Sequence, residues 1–334
     1  MVITRTPFRI SFFGGGTDYP AWYREHGGMV LASTIDKYCY ISCRHLPPFF
    51  DHKHRIVYSH IENVREIEEI EHPSVRATLA WAGCEKGLEI HHDGDLPARA
   101  GLGSSSSFTV GLIHALAAFE GKYVSKEDLA KQSIHIEQNI IKENVGSQDQ
   151  ISAAFGGLNR IEFKSNDIFQ VSPVALDVDR SQELQGHLML FFTGTTRIAA
   201  EIAKDKIKNF KSCESEIKSM GQMVDEAINI LSDNNTPIVE LGRLLHESWL
   251  YKRKLSDKVS TPEIDAIFEG AMNAGATGGK LLGAGGGGFV LLFVKPELQP
   301  QVRERLKNLV YVPFGFEFSG SRVMYYQPDN LVQE

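Results

Sequence analysis

The sequence has few cysteines and no pair of them that would mark a metal site. Four cysteines occur in 334 residues, and none forms a Cys-x-x-Cys pair. Their spacing fits no common zinc pattern. Cys39 and Cys43 lie on one face of a run that is typical of a β-strand, so we expect both in the core of a reduced protein.

Long apolar segments and an excess of positive charge are also missing. No apolar run approaches the ~20 residues that a membrane helix needs. Residues 1–10 carry two arginines and lack the apolar centre of a signal peptide. The net charge of -7 argues against general binding to nucleic acid or to an anionic membrane. We therefore expect a cytoplasmic protein that binds neither nucleic acid nor a membrane. The composition leaves its oligomeric state open.

Glycine and serine are instead concentrated in one stretch, residues 95–107, which reads DLPARAGLGSSSS. It lies between a strand-like apolar run at 87–91 and a helix-like run at 108–119. Glycines allow a tight turn, and the N-terminus of the helix after them favours an anion. One serine would suffice as a helix cap, so four favour a phosphate-binding loop over a simple capped helix. The loop is not a Walker A, because no Gly-Lys-Ser/Thr follows at the required spacing.

Two carboxylates stand in predicted helices after this loop. Glu137 falls in the apolar stripe of a helix predicted over 125–143. A buried carboxylate needs a partner, so Glu137 either pairs with a core cation or binds a metal near the serines. Asp149 lies in a first turn where Ser147 and Gln150 have capping-box spacing. It could stabilise a helix dipole at the surface or act in catalysis.

Two more glycine-rich loops lie near the ends of the chain. The strand-like run 2–13 ends in Gly14-Gly15-Gly16, and Asp18 follows as a potential helix cap. The other loop, residues 278–288, matches the dinucleotide fingerprint G-x-G-x-x-G. That fingerprint needs a strand before the loop and a helix after it, and here the order is reversed. We therefore exclude a Rossmann site and expect this backbone to close against another loop or a ligand.

Together these features predict phosphoryl transfer. Such chemistry needs phosphates held by backbone groups, a divalent cation and a positioned nucleophile. Mg²⁺ prefers oxygen ligands and keeps several waters, so one hydroxyl and one carboxylate suffice beside nucleotide phosphates. Ser105 and Glu137 could supply them. Asp149 could orient or deprotonate a hydroxyl acceptor.

Three of these motifs, in their order along the chain, resemble those of the GHMP small-molecule kinases, among them galactokinase and mevalonate kinase. The motifs occupy residues 7–18, 97–105 and 282–288. The resemblance implies an α+β fold of two domains, with ATP and Mg²⁺ in the cleft between them. Residues 1–184 would resemble the second domain of ribosomal protein S5, and residues 185–334 would be ferredoxin-like. The boundary is placed at a polar segment, 178–186, that we predict to be a linker.

The resemblance also implies roles for individual residues. The ATP phosphates would be bound by the loop residues Pro97, Arg99, Ala100, Gly101, Leu102, Gly103, Ser104, Ser105, Ser106 and Ser107. Ser105 and Glu137 would hold Mg²⁺, and Asp149 would be catalytic with Arg9 beside it. The sugar would be bound by Gly15, Gly16, Thr17 and Asp18, since a carboxylate can accept two hydroxyl hydrogen bonds. Gly285 and Gly286 would close the site.

Within the family, the chain is most similar to the D-glycero-D-manno-heptose 7-phosphate kinases. The similarity is carried by residues 5–20, 34–38, 192–194 with Arg197, and Trp249 with Lys252 and Arg253. It implies ATP-dependent phosphorylation of the anomeric C1 hydroxyl, giving heptose 1,7-bisphosphate for nucleotide-activated heptose and surface glycans.

A sugar phosphate substrate needs cations of its own. We expect Arg197, Lys252 and Lys280 to bind its phosphate, with Thr193 nearby. Lys252 could equally be a cation that complements a helix C-terminus. Two other functions stay open: a C1 kinase for fucose, galactose, mannose or unphosphorylated heptose, and a non-catalytic sugar or nucleotide sensor. The presence of Asp149 argues against the sensor.

Overall fold

The computed structural model describes residues 1–98, 100–194 and 199–327, with only the backbone described at 199–201. Arg99 and Arg197 lie outside the described residues. Within the described ranges, no helix combines the length and the apolar character needed to cross a membrane. The chain folds into two sheets with helices packed against them.

The first half of the chain alternates strands and helices. Its elements are β1 (Val2–Phe13), α1 (Pro20–His26), β2 (Gly28–His45), β3 (His54–Val57), β4 (Ile61–Val64), α2 (Pro73–Ala82), β5 (Leu88–Gly94), α3 (Ser104–Phe119), α4 (Lys126–Ile134), α5 (Gln148–Phe155), β6 (Leu158–Phe163), β7 (Phe169–Pro173) and α6 (Val178–Gly186). A short 3-10 helix occupies Ile67–Glu69, and the π-helix His135–Ile140 continues α4.

The second half is richer in helices. Its elements are β8 (Leu188–Phe192), α7 (Ala199–Lys208), α8 (Glu214–Ser232), α9 (Val239–Lys254), α10 (Pro262–Asn273), β9 (Ala276–Leu281), β10 (Phe289–Val294), α11 (Gln299–Arg305), β11 (Val310–Val312), β12 (Phe316–Glu317) and β13 (Arg322–Tyr326), with a 3-10 helix at Pro296–Leu298. The strands β11, β8, β10 and β9 form an antiparallel sheet in that order. All six residues of β10 are buried, which explains its unbroken apolar run.

The long strands β1 and β2 form the centre of a nine-stranded sheet. Its main order is β13-β1-β2-β5-β3-β4, while β12 and β6 also pair with β2, and β7 pairs with β6. Cys39 and Cys43 lie fully buried in β2, as predicted, and neither forms a disulfide bond. The predicted α+β fold is confirmed. The division at residue 184 stays a prediction, and the topology adds that the last two strands return to the first sheet.

The predicted linker at 178–186 is wrong, because this segment is the helix α6. The Asp177 carboxylate caps it by accepting a hydrogen bond from the Arg180 amide at 2.7 Å. The buried Arg180 guanidinium in turn donates to main-chain carbonyls at the end of α8 and in the turn after it, among them those of Leu231 and Thr236. A polar segment thus forms a helix because its polar groups satisfy one another and the end of a second helix.

Close packing of α3 on the central strands sets the position of residues 95–107, the serine loop. A Cβ at Gly111 would lie 2.8 Å from the Thr6 hydroxyl, so the helix approaches the sheet as closely as a glycine permits. The Ser107 hydroxyl donates to the Pro7 carbonyl at 2.9 Å, and the Arg9 amide donates to the Leu102 carbonyl at 3.0 Å. These bonds hold the start of α3 and the loop before it against β1.

The glycine-rich loop between β9 and β10 closes against the serine loop, as predicted. Gly283 has φ +72°, and a Cβ there would lie 2.4 Å from the Cα of Gly101. A Cβ at Gly288 would lie 2.2 Å from the Ala100 carbonyl oxygen. Only residues without a side chain allow two backbones to meet at this distance. The contact joins the part of the chain after residue 185 to the serine loop.

We expect Gly283→Ala to lower the free energy of unfolding by about 3 kcal/mol, because the new methyl group is strained and overlaps the facing backbone. Gly83 is the matched control: its φ is +64°, and no heavy atom of the described residues lies within 4 Å of a Cβ there. Gly83→Ala should cost only about 1 kcal/mol, from backbone strain alone. Urea unfolding of both variants measures the difference, and equal losses would show that the loops do not need this contact.

Candidate active site

The start of α3 leaves its amide groups without a side-chain cap. Gly103, with φ 74°, is the N-cap residue and makes no side-chain hydrogen bond to the first turn. The four serines follow the cap position, and the hydroxyls of Ser106 and Ser107 donate to Glu137 and to the Pro7 carbonyl. Ser105 is exposed, whereas Ser106 and Ser107 are buried and bind other elements. The helix N-terminus keeps the partial positive charge that suits an anion.

Arg9 and Asp149 form a bidentate ion pair next to this loop. The Arg9 Nε and Nη2 groups donate to Oδ1 and Oδ2 of Asp149 at 2.8 and 2.9 Å, and Nη1 donates to the Gly101 carbonyl at 2.7 Å. The Arg9 side chain is 5% exposed and that of Asp149 is 26% exposed. Burial raises the pKa of Asp149, and the Arg9 charge opposes that rise. The predicted neighbours Arg9 and Asp149 are thus in direct contact.

Asp18 lies beside this pair and is held by the segment that carries Asp149. Its Oδ1 accepts from the Gly16 amide at 2.9 Å, and its Oδ2 accepts from the Gln148 side-chain amide at 2.8 Å. The Ser147 amide donates to the Asp18 carbonyl at 2.9 Å. Asp18 is not a helix cap, because α1 begins after Tyr19 without a side-chain cap bond.

Hydrogen bonds and backbone bends of the neighbouring residues fix the turn that carries Asp18. The buried Thr17 hydroxyl lies 2.8 Å from the carbonyls of both Gly14 and Met29, either of which can accept its one proton. Gly15 and Gly16 provide the bend in front of Asp18, and Gly16 has φ +112°. The predicted sugar-binding stretch therefore contains a carboxylate, Asp18, on a turn whose other groups lock its position.

Glu137 is fully buried and faces α3, as the metal interpretation requires. Its Oε2 accepts from the Ser106 hydroxyl at 2.9 Å and from the Gln150 side-chain amide at 2.5 Å. Its Oε1 has no hydrogen-bond partner among the described residues. Burial raises the pKa of Glu137 to about 7, and neighbouring hydroxyl and amide groups, among them those of Ser106 and Gln150, oppose the rise.

These contacts decide between the two interpretations of Glu137. The described partners are neutral, so it is not the partner of a core cation. The structure places Ser106, rather than Ser105, against the carboxylate. The predicted capping box also fails, because the Gln150 side chain binds Glu137 and Ser147 makes no cap bond. An unpartnered carboxylate oxygen beside serine hydroxyls is a donor set that suits Mg²⁺.

Nitrogen and sulfur ligands do not supplement this donor set. In the described part of the chain, no group of three or more His, Cys, Asp or Glu side chains could hold a metal. An ion at Glu137 would therefore depend on oxygen atoms from phosphates and water for most of its ligands, as Mg²⁺ commonly does.

The two predicted phosphate-binding lysines form hydrogen bonds to main-chain carbonyls. The Lys252 ammonium donates to the carbonyls of Leu281 and Gly283 at 2.7 and 2.6 Å, and the Lys280 ammonium donates to the Phe12 carbonyl at 2.8 Å. Both lysines are buried, so Lys252 is not a solvated cation at a helix end. Burial lowers the pKa of Lys252 and lowers that of Lys280 to about 7.

The remaining predicted residues stabilise the glycine-rich loop. The Gly288 amide donates to the Thr193 hydroxyl at 3.1 Å, and the Thr193 amide donates to the Gly288 carbonyl at 2.9 Å. The Gly286 amide donates to the Val259 carbonyl at 2.9 Å, and a Cβ at Gly285 would lie 2.7 Å from the Cα of Val259. The glycine-rich loop is therefore fixed on both sides of its contact with the serine loop.

One buried cation of the site escaped the sequence analysis. Lys206, on α7, is 4% exposed, and its ammonium lies 5.5 Å from the centroid of the Tyr19 ring. Its charge interacts with Asp18 and Asp149. A signal existed, since Lys206 lies at helical spacing from the buried Ile202 and Phe210 and so falls within an apolar stripe.

Family profiles and related proteins agree with this geometry. The profile described as GHMP kinases N terminal domain matches residues 66–157, and that described as GHMP kinases C terminal matches residues 231–312. The D-glycero-alpha-D-manno-heptose 7-phosphate kinase of Campylobacter jejuni is 31% identical over 309 residues, covering 88% of this chain and 89% of that protein. The galactokinase of Thermosipho africanus is 26% identical over 348 residues, covering 93% and 94%.

Solved structures share the fold over nearly the whole chain. A D-glycero-D-manno-heptose 1-phosphate kinase from Bacteroides thetaiotaomicron superposes with a TM-score of 0.80 at 23% identity, covering 98% of this chain and 100% of that one. Lactococcus lactis galactokinase complexed with galactose has a TM-score of 0.70 at 20% identity, covering 97% and 94%. Profiles, relatives and fold agree: the chain belongs to the GHMP kinase family and is a phosphotransferase of its sugar kinase branch.

Proposed function

We propose that this sugar kinase transfers the γ-phosphate of ATP, with Mg²⁺, to the anomeric C1 hydroxyl of D-glycero-D-manno-heptose 7-phosphate. The product would be the 1,7-bisphosphate, a precursor of nucleotide-activated heptose for surface glycans. The observation that carries the proposal is the Arg9–Asp149 pair, which lies between the phosphate loop and Asp18. The heptose 7-phosphate kinase relative supports the choice of sugar.

The ion pair suits the acceptor side of the reaction. Asp149 would hold the sugar hydroxyl in line with the phosphate and accept its proton at a carboxylate oxygen. Arg9 keeps that carboxylate fixed, and its guanidinium would stabilise negative charge on the transferring group. Asp18 accepts one hydrogen bond at each carboxylate oxygen, so each oxygen retains a lone pair for a sugar hydroxyl.

The donor side would be formed by the serine loop and Glu137. Residues 97–107 would bind the ATP phosphates through the N-terminus of α3. Mg²⁺ would be held by the free Oε1 of Glu137 and by a serine hydroxyl, Ser105 as proposed from the resemblance, with Ser106 already beside the carboxylate. The ion would neutralise charge on the phosphates.

The basic residues would complete the sugar phosphate site. An ammonium has three donors, so Lys252 retains one and Lys280 retains two beyond their bonds to carbonyls. Their binding to the substrate phosphate stays a prediction, as does that of Arg197. Thr193, Gly285 and Gly286 would act by holding the glycine-rich loop over the substrate.

The substrate is tested by ADP release with ATP and Mg²⁺ over a matched set of sugars. We expect kcat/KM for heptose 7-phosphate to exceed that for unphosphorylated heptose, galactose, fucose and mannose by about 100-fold, because charge-assisted bonds to the sugar's own phosphate are lost in each of these. Phosphorus NMR of the product should place the new phosphate on C1. Preference for a free hexose, or a new phosphate elsewhere on the sugar, would contradict the proposal.

The requirement for Mg²⁺ should depend on pH through Glu137. The raised pKa means that the carboxyl is mostly protonated at pH 6 and mostly ionised at pH 8, and only the ionised form binds the metal. The Mg²⁺ concentration for half-maximal rate should therefore be about 10-fold higher at pH 6 than at pH 8.

Variants separate this effect from the titration of ATP itself. In Glu137→Gln, the Mg²⁺ requirement should rise at both pH values, and only the pH dependence that belongs to the nucleotide should remain. Glu127→Gln on α4 is the matched control, since that carboxylate is exposed and pairs with Lys131. An unchanged pH dependence in Glu137→Gln would exclude Glu137 as a ligand.

A further inference from the structure

Lys206 is a buried ammonium for which the fold provides no hydrogen-bond acceptor. It is more than nine-tenths buried, yet none of the described residues accepts a hydrogen bond from it. The Lys206 ammonium lies over the face of the Tyr19 ring. Burial lowers the pKa of Lys206, and the negative charges of Asp18 and Asp149 oppose that effect. An isolated buried charge is costly, so a retained one points to a partner that arrives with a ligand.

The other cations of the site are already engaged. Arg9 binds Asp149 and the Gly101 carbonyl, Lys252 binds two carbonyls, and Lys280 binds one. Arg9 and the lysines Lys206, Lys252 and Lys280 outnumber the two carboxylates whose charges act on them, Asp18 and Asp149, so basic groups are in excess, and burial lowers the pKa of all three lysines. The chain as a whole is negative, which makes this local excess a property of the site. An anionic ligand would balance it.

The position of Lys206 indicates which anion this is. The phosphate loop and α3 lie on the Gly101 side of the Arg9–Asp149 pair, where ATP would bind. Lys206 reaches the site from α7 over Tyr19, the residue next to Asp18, and therefore from the sugar side. The two residues that follow the helix anchor its end there: the Asn209 side-chain amide donates to the Leu255 carbonyl at 2.9 Å, and Phe210 packs on Tyr19.

We propose that Lys206 binds the phosphate that the sugar carries before the reaction, and that it thereby determines the preference for a sugar phosphate over a free sugar. This inference rests on the proposed function and specifies its substrate class. The Lys206 ammonium has three donors with no acceptor among the described residues, which suits the oxygens of a phosphate dianion. It is a binding residue and does not touch the reacting hydroxyl.

The test compares heptose 7-phosphate with unphosphorylated heptose in wild type, Lys206→Met and Lys206→Arg. Methionine has a similar length and no charge, and removal of an unpaired buried charge should not impair folding, which thermal unfolding checks. In Lys206→Met, the KM for heptose 7-phosphate should rise about 10- to 100-fold, since a charge-assisted bond is lost. The loss in kcat/KM should be at least about 10-fold larger for heptose 7-phosphate than for heptose, and arginine should restore part of it.

Lys208→Met is the matched control on the same helix, because the Lys208 side chain is 66% exposed. It should retain wild-type kinetics with both sugars. An equal loss with both sugars in Lys206→Met would mean that Lys206 only positions Asp18 and Asp149, and it would overturn the inference. Unchanged kinetics would overturn it as well.

Calorimetric titration with heptose 7-phosphate in the absence of ATP separates this inference from the proposed function. A wild type that binds the sugar phosphate but does not phosphorylate it would overturn the proposed function alone. An affinity that is the same in wild type and Lys206→Met would overturn the role of Lys206 alone. A wild type that does not bind heptose 7-phosphate would overturn both.

Discussion

The bidentate pair of Arg9 and Asp149 is the interaction on which the site depends. It joins β1 to α5, and the third donor of Arg9 extends the link to the phosphate loop at Gly101. Three segments that are far apart in sequence therefore meet at one guanidinium. Because the pair is largely buried, removal of either partner alone leaves an uncompensated charge, a loss of roughly 3–5 kcal/mol. Under the proposed function, the same geometry would present Asp149 to the sugar hydroxyl.

The second half of the chain completes this arrangement through backbone contacts. Glycines allow the loop after β9 to lie directly on the phosphate loop, and Lys252 and Lys280 bind carbonyls on either side of it. Lysines that a sequence suggests for phosphate binding thus also have a structural role. Under the proposed function, Lys206, which is buried and lies over the Tyr19 ring, would be the cation whose donors are left for the substrate phosphate.

The sequence predicts those features of the fold that depend on residues close together in the chain. The strand before Gly14, the glycine loops and the carboxylates Glu137 and Asp149 were found because turns, apolar periodicity and motif order are visible in sequence. Ser105 and Ser106 could not be told apart, since one residue rotates a helical side chain by about 100°. The sequence predicts a linker at α6 because the carbonyls that accept hydrogen bonds from Arg180, and so stabilise this helix, lie some 50 residues away. The environment of Lys206 is not visible in the sequence either, because Tyr19, which packs against it, is far more remote along the chain.

The most direct test of this account is a double-mutant cycle on the central ion pair, with kcat/KM for the sugar as the readout. Asp149→Asn and Arg9→Met should each lower it by about 1,000-fold, and the double variant should lose little more than either, because the two side chains act as one unit. Losses that multiply in the double variant would show that Arg9 and Asp149 act independently. That result would contradict the claim that their pairing organises the site.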